Sequence, residues 1–328
     1  MRTVTQPGDC PKTFLLLLLS ALAVLCFPIT PAFAQKSEKA TTYYNRGLQK
    51  QEQGDLEGAL ADYDEAIRLQ PRLADAYNNR ANIRLQKGDL DGAISDYTKT
   101  IELNPRSVEG YFNRGDVLLQ KLDYDAAISD FTAAIQIVPQ FAMAYNNRGN
   151  AKKGKGDVDA AIADYSKAIE FNPRLAIAYY NRGVAQQIKK NNAAAISDYS
   201  LAIGVDANFF DAYVNRGQAR QAEKAFAEAI NDYARANELR PDAGVFYASG
   251  TARQAQKDFS GALSDYSNAI KLDPNLAPAY SARAVIETLQ EQKAAALEDF
   301  ERAFALDPSL RATFKEFIER RLGPIRKN

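Results

Sequence analysis

With 328 residues, 41 basic against 41 acidic side chains and a mean hydropathy of −0.38, the chain has the makeup of a folded, water-compatible protein. Its zero net charge gives no general pull toward nucleic acid or anionic lipid. There is no His, and the two Cys, Cys10 and Cys26, both stand near the N-terminus, so the body of the chain lacks the commonest general base, the usual transition-metal ligands and a thiol nucleophile.

Residues 1–34 read as a signal peptide: Arg2 and Lys12 give a positive start, Phe14 to Phe27 an apolar run, and Ala32-Phe33-Ala34 a small-x-small cleavage site. The run is short for a membrane span, and Pro28 and Pro31 interrupt it, so cleaved export ranks ahead of an uncleaved anchor; Val24 and Leu25 are too bulky for Cys26 to be a lipidation site. Cleavage before Gln35 removes both Cys and leaves 39 basic and 40 acidic residues, a thiol-free chain suited to an oxidising compartment. The expected location is the bacterial periplasm or the extracellular space, with membrane contact only if the leader stays. A short segment, 35–39, leads into the body.

From Ala40 the sequence repeats. Aligned on Gly58-Ala59-Leu60-Ala61-Asp62-Tyr63, Gly92-Ala93-Ile94-Ser95-Asp96-Tyr97 and Ala126-Ala127-Ile128-Ser129-Asp130-Phe131, the period is 34 residues, which predicts eight repeats at 40–73, 74–107, 108–141, 142–175, 176–209, 210–242, 243–276 and 277–310. Counting within each repeat, position 4 is aromatic, as in Tyr43 and Phe246. Position 8 is Gly or Ala, position 20 is Ala, and position 24 is Tyr or Phe. Steps of four are helical, and small residues at 8 and 20 let two helices approach, so each repeat should be an antiparallel helix pair. Gly54-Asp55, Gly88-Asp89 and Gly156-Asp157 supply a left-handed turn and an N-cap between the helices, and Pro at position 32 closes the second helix. Repeat 5 has Ala207 in place of that Pro, and repeat 6 is one residue short after Pro241; any bend is expected there.

This pattern of aromatic-4, Gly-8, Ala-20, aromatic-24 and Pro-32 resembles the tetratricopeptide repeat, and the resemblance covers Ala40 to Leu310. It implies an all-α fold, a right-handed solenoid superhelix with the first helix of each pair lining a concave face and the second the convex one. Residues 311–323 carry Phe314, Phe317, Ile318 and Leu322 on one helical face and read as a capping helix, with 324–328 as a tail.

Two further positions stand out. Position 7 is Arg in seven repeats (Arg46, Arg80, Arg114, Arg148, Arg182, Arg216, Arg283), and position 23 is Asp in all eight (Asp62, Asp96, Asp130, Asp164, Asp198, Asp232, Asp265, Asp299). In a hairpin turning near position 15, residues whose positions sum to about 30 lie level, so each Arg should form a structural ion pair with the Asp of its own repeat. Ser249 in repeat 7 breaks the series and leaves Asp265 to find another donor.

Position 6 is Asn in six consecutive repeats, Asn45, Asn79, Asn113, Asn147, Asn181 and Asn215, and stops at Ala248 and Ala282. An amide offers the donor and the acceptor that an extended peptide backbone needs. The series is similar to the asparagine ladder of the O-GlcNAc transferase superhelix, which implies peptide binding on the concave face. Beside it, Phe112, Met143, Ile177 and Tyr180 are candidate apolar anchors, and Lys153 is a nearly solitary cation. The other reading of these Asn is that they solvate the groove or bond to the adjacent helix.

No phosphate-binding Gly loop and no room for a catalytic domain accompany the repeats, which argues against an enzyme and implies no cofactor and no metal. The expected role is a protein–protein interaction scaffold holding an extended segment of a partner. The alternative is an assembly subunit, soluble or membrane-tethered, that packs through its convex face or ends. Homo-oligomerisation is compatible with either reading.

Overall fold

The computed structural model describes residues 31–323, with side chains from Gln35 onward. Nearly all of the predicted leader and the whole predicted tail lie outside the described residues. Those residues form α-helices joined by short turns, and they divide into two compact units between Leu103 and Asn104.

The first unit pairs α1 (Pro31–Glu52) with α2 (Leu56–Leu69) and α3 (Ala74–Gln86) with α4 (Leu90–Leu103). The second pairs α5 (Val108–Gln120) with α6 (Tyr124–Ile137), α7 (Ala142–Gly154) with α8 (Val158–Phe171), and α9 (Ala176–Ile188) with α10 (Asn192–Val205). It continues with α11 (Phe210–Ala222) and α12 (Phe226–Leu239), α13 (Ala243–Ala255) and α14 (Phe259–Leu272), then α15 (Ala277–Leu289) and α16 (Lys293–Leu306), and ends on α17 (Leu310–Arg321). Residues 35–39, expected as a separate lead-in, are part of α1, and the expected cut before Gln35 falls in its first turn.

The core is a ladder of small and aromatic residues. Ala59, Ala93, Ala127, Ala161, Ala195, Ala229, Ala262 and Ala296 are fully buried, and so are the rings at position 24. The close approach is set at position 8: a Cβ on Gly183 would stand 2.7 Å from Tyr199 Cε1. The last repeat is covered as expected, with Ile318 of α17 buried and Phe314 and Phe317 packed on Phe300 at ring-centroid distances of 5.3 and 6.4 Å.

The irregular repeats are absorbed locally. In repeat 5, Asp206 Oδ1 accepts from the Asn208 amide at 2.9 Å, the same Asx turn that Asn172 makes with Arg174 around Pro173 in the regular repeat 4, so the turn survives without its Pro. After Pro241 the shortened connection runs through extended Asp242, whose carboxylate caps α13 at the Val245 amide at 3.0 Å. Both sites lie inside the second unit, whereas the division of the chain falls elsewhere, ahead of α5.

The turn inside each pair uses one conformation throughout. Gly54, Gly88 and Gly156 have φ of 81°, 80° and 92°, and the residues at the same position elsewhere, Leu122, Lys190, Lys224, Lys257 and Glu291, are also left-handed, with φ of 60° to 64°. A left-handed L-residue costs about 1–2 kcal/mol, against about 0.5–1 kcal/mol for the extra freedom of Gly in the unfolded chain. Leu122 is 67% exposed, so truncation removes little packing. Leu122→Gly is therefore expected to raise stability by about 0.5–1 kcal/mol, read as a higher urea midpoint; a lower midpoint would show that the Leu side chain matters more than its backbone.

Candidate functional site

The candidate site is the face made by the first helices. In the second unit α5, α7, α9, α11 and α13 touch in succession. In the first unit the Asn79 amide of α3 donates to Tyr44 Oη of α1 at 3.2 Å.

That bond shows where the Asn amides go. Asn181 Nδ2 donates to Asn146 Oδ1 at 2.9 Å, Asn215 Nδ2 to Tyr180 Oη at 3.1 Å, and Asn147 Nδ2 to Asp116 Oδ1 at 2.9 Å. In each case the donor reaches the first helix of the preceding repeat, to position 5 where an acceptor stands there and to position 9 where position 5 is Phe112. A carboxylate only accepts, so Asp116 fixes the direction of a chain in which Asn181 donates to Asn146, Asn146 to Asn147 at 3.0 Å, and Asn147 to Asp116. Burial raises the pKa of Asp116 and the Asn147 bond opposes that rise. The ladder therefore joins repeats. The carbonyl oxygens of Asn79, Asn181 and Asn215 accept no hydrogen bond from the described residues; Asn79 and Asn215 are half-buried and Asn181 is 6% exposed. Asn45 is exposed and Asn113 is half-buried.

The anchors divide in two. Phe112 packs against Phe131 and Phe141, with centroids 5.8 and 4.9 Å apart, and Tyr180 against Tyr199 and Phe209 at 5.8 and 5.0 Å, so both rings belong to the packing between repeats. Met143 is exposed and Ile177 half-buried. Lys153 is half-buried, and burial lowers its pKa.

A further pairing escaped the sequence reading although its signal was there. Where position 24 is Tyr, its hydroxyl donates to a Gln at position 12 (Tyr63 to Gln51, Tyr199 to Gln187, Tyr233 to Gln221, Tyr266 to Gln254, at 2.7 to 2.9 Å) or to an Asn at position 9 (Tyr97 to Asn82, Tyr165 to Asn150, at 2.6 and 2.8 Å). Where it is Phe, as in Phe131 and Phe300, positions 9 and 12 hold Asp116 and Leu119, or Val285 and Thr288, and neither acceptor stands there. A buried phenol thus selects its amide across the helix pair. Where the ladder ends at Ala248, a cleft of about 460 Å³ opens between α11 and α13, bridged by Gln221 Nε2 donating to Thr251 Oγ1 at 3.1 Å.

On the other side of the first helices stand the Arg–Asp pairs. Arg148 donates from Nε and Nη2 to the two oxygens of Asp164, both at 2.8 Å; Arg80 holds Asp96 at 2.8 and 2.6 Å, Arg114 holds Asp130 at 2.8 and 2.8 Å, and Arg182 holds Asp198 at 2.9 and 2.7 Å. Arg283 holds Asp299 at 2.6 and 2.8 Å, Arg216 pairs with Asp232, and Arg46 pairs with Asp62. Arg46 lowers the Asp62 pKa against the opposing effect of burial. The sequence did not reveal a third arm: Nη1 of Arg148, Arg182, Arg216 and Arg283 reaches a hydroxyl at position 25 of the preceding repeat, Thr132, Ser166, Ser200 and Ser267, at 2.9 to 3.1 Å.

Models of the tetratricopeptide repeat match residues 74–107, 96–129, 176–209 and 210–242, and a further model of that repeat matches 50–88 and 153–189. The chain is a tetratricopeptide repeat protein. Among solved structures, a tetratricopeptide repeat protein from Parabacteroides merdae is 17% identical, with 76% of this chain and 99% of that chain covered and a TM-score of 0.57. YrrB, described as a TPR protein with an unusual peptide-binding site, is 23% identical over 57% of this chain and 97% of its own, with a TM-score of 0.50. MamA from Desulfovibrio magneticus RS-1 is 22% identical over 52% and 97%, also with a TM-score of 0.50. At these identities the likeness is one of fold. No curated protein matches the chain significantly. The fold is that of an interaction scaffold, a typically non-catalytic family, and among the described residues no group of three or more His, Cys, Asp or Glu could hold a metal ion. No helix of the described residues is long and apolar enough to cross a membrane.

Two expectations follow for the groove of this repeat protein. Asn181→Ala leaves the Asn146 carbonyl oxygen without its donor and should cost about 1–3 kcal/mol, whereas Asn45→Ala, at an exposed site, should stay within about 0.5 kcal/mol of wild type; equal effects in urea unfolding would remove the inter-repeat role. Gln187→Leu should cost a similar ~1–3 kcal/mol through the Tyr199 hydroxyl, and adding Tyr199→Phe should recover most of it, a coupling that a double-mutant cycle measures.

Proposed function

We propose that this protein is an exported, non-catalytic adaptor that holds an extended segment of a partner protein along its first-helix face. The observation that carries the reading is the state of the position-6 amides. The N–H groups of Asn79, Asn147, Asn181 and Asn215 are engaged between repeats, and the carbonyl oxygens of Asn79 in the first unit and of Asn181 and Asn215 in the second are left as acceptors for the N–H groups of a peptide main chain. Met143 and Ile177 offer apolar contacts beside them, Lys153 a cation for a partner carboxylate, and the cleft beside Ala248 a place for a side chain. Phe112 and Tyr180, engaged in packing, shape the groove rather than anchor a ligand. That YrrB, of the same fold, is described as having a peptide-binding site is consistent with such a use. Export rests on the leader sequence, and neither nucleic acid nor a cofactor has a role in the reading.

Peptide display tests it. A phage library of unstructured peptides is panned on the protein, and enriched peptides are measured against Met143→Glu, Ile177→Glu and, as an outer-face control, Lys167→Glu. Both groove variants should weaken binding at least tenfold, and the control should leave it unchanged. Enriched peptides indifferent to the groove variants, or lost with the control, would sink the groove reading and favour an assembly subunit that packs through its convex face.

A further inference from the structure

The junction of repeats 6 and 7 departs from the other junctions at two positions that line one cavity. Position 7 of repeat 7 is Ser249 instead of Arg, and position 25 of repeat 6 is Ala234 instead of the hydroxyl that receives Arg148, Arg182, Arg216 and Arg283 in their repeats. Loss of the Arg alone would leave a stray hydroxyl, and loss of the hydroxyl alone would crowd nothing. Their joint absence leaves a cavity of about 310 Å³ bounded by α12, α13 and α14.

The cavity keeps two of the groups that hold a guanidinium in the other repeats, the ring and the carboxylate. Arg148, Arg182, Arg216 and Arg283 lie over the position-4 ring of their own repeat, 5.2 to 5.9 Å from its centroid, and the corresponding ring here is Phe246, which lines the cavity. The position-23 carboxylate is Asp265. Its Oδ2 accepts from Ser249 Oγ at 2.7 Å and from Arg253 Nε at 2.9 Å, while Oδ1, which takes Nη2 in the regular repeats, accepts nothing from the described residues. The Asp265 side chain is 13% exposed, against 3% to 8% for its counterparts in the paired repeats. Arg253 does not fill the space, because its Nη1 is held by Asp258 at 2.8 Å. Glu238 also lines the cavity and adds a second carboxylate.

We propose that this cavity is a vacated guanidinium seat that takes the side chain of an arginine presented by a partner protein. A planar fork is required to face Asp265 Oδ1 while lying flat over Phe246, and an ammonium can satisfy only the first of these. The partner is a protein because the fold is an interaction scaffold and because the seat recognises the tip of a side chain with room for an aliphatic stem. The seat lies among α12, α13 and α14, away from the Asn ladder between the first helices, so it stands or falls independently of the groove reading.

The test follows the labelled Phe246 and Ser249 resonances of the full chain during titration with Nα-acetyl-arginine methylamide, with its lysine and citrulline counterparts and with free L-arginine. The arginine amide should give saturable shifts in the millimolar range, the lysine amide at least tenfold weaker binding, and the neutral citrulline amide none. Ser249→Arg combined with Ala234→Ser should rebuild the internal clamp, fold at least as stably as wild type and abolish the response; Ser249→Arg alone should also abolish it. The proposal is overturned by silence of the wild type, by a citrulline or lysine response equal to that of arginine, or by a response that survives in the double variant. Binding of free L-arginine at least tenfold tighter than its amide would overturn the partner-protein assignment in favour of a small-molecule site.

Discussion

A buried carboxylate at the same place in seven of the eight repeats is the constraint on which the rest depends. Asp62, Asp96, Asp130, Asp164, Asp198, Asp232 and Asp299 are 2% to 5% exposed, and an unpaired charge at that depth would cost several kcal/mol. Each must therefore meet a cation in a fixed geometry, and the Arg ten residues before the next helix begins supplies it from position 7. Asp62, Asp96, Asp164 and Asp232 take a second cation from position 11 of the same helix, Lys50, Arg84, Lys152 and Arg220, and Asp265, which lacks the position-7 Arg, takes Arg253 there. Such pairs add little net stability compared with apolar packing. Their effect is on register, because one guanidinium touches the second helix of its own repeat, the second helix of the repeat before and the ring at position 4. In a solenoid every repeat contacts only its neighbours, so one local clamp, repeated, sets the stacking within each unit.

The contacts inside a repeat were legible in the sequence and the contacts between repeats were not, for one physical reason. A hairpin of two helices has a register fixed by its turn, so levels follow from positions that sum to a constant, and the partners Arg148 and Asp164 could be named from spacing alone. Successive repeats are related by a stagger that the 34-residue period leaves undetermined. That stagger decides whether Asn181 meets Asn146 or solvent and whether Arg182 also reaches Ser166. The left-handed turn shows the same limit from another side. Glycine marked it in three repeats, but Leu122 and Lys190 adopt it without any local sign, because packing on both flanks imposes the turn whatever residue occupies it. The Tyr-to-amide pairing was readable in principle, since Tyr at position 24 travels with Gln at 12 or Asn at 9, but recognising it required knowing that those positions face each other.

Packing and binding are not alternatives for the position-6 asparagines, because an amide has two ends. The N–H end ties first helices together, and at Asn79, Asn181 and Asn215 the carbonyl end is left over. A ladder of bare acceptors contributes about 0.5–1.5 kcal/mol per hydrogen bond, while association itself costs about 4–15 kcal/mol. It can set the register of a strand and cannot by itself hold one. Affinity has to come from places where the regular pattern lapses, since a satisfied repeat offers a partner only its surface. Repeat 7 lapses on both sides of one helix: α13 lacks Asn at position 6, which opens the cleft against α11, and lacks Arg at position 7, which opens the cavity against α12 and α14. A charge-assisted hydrogen bond is worth about 1.5–3 kcal/mol, roughly double a neutral one. The Asp265 carboxylate, which has Arg253 but no Arg at position 7 and keeps one oxygen unused, is therefore worth more to a partner than any one rung of the ladder.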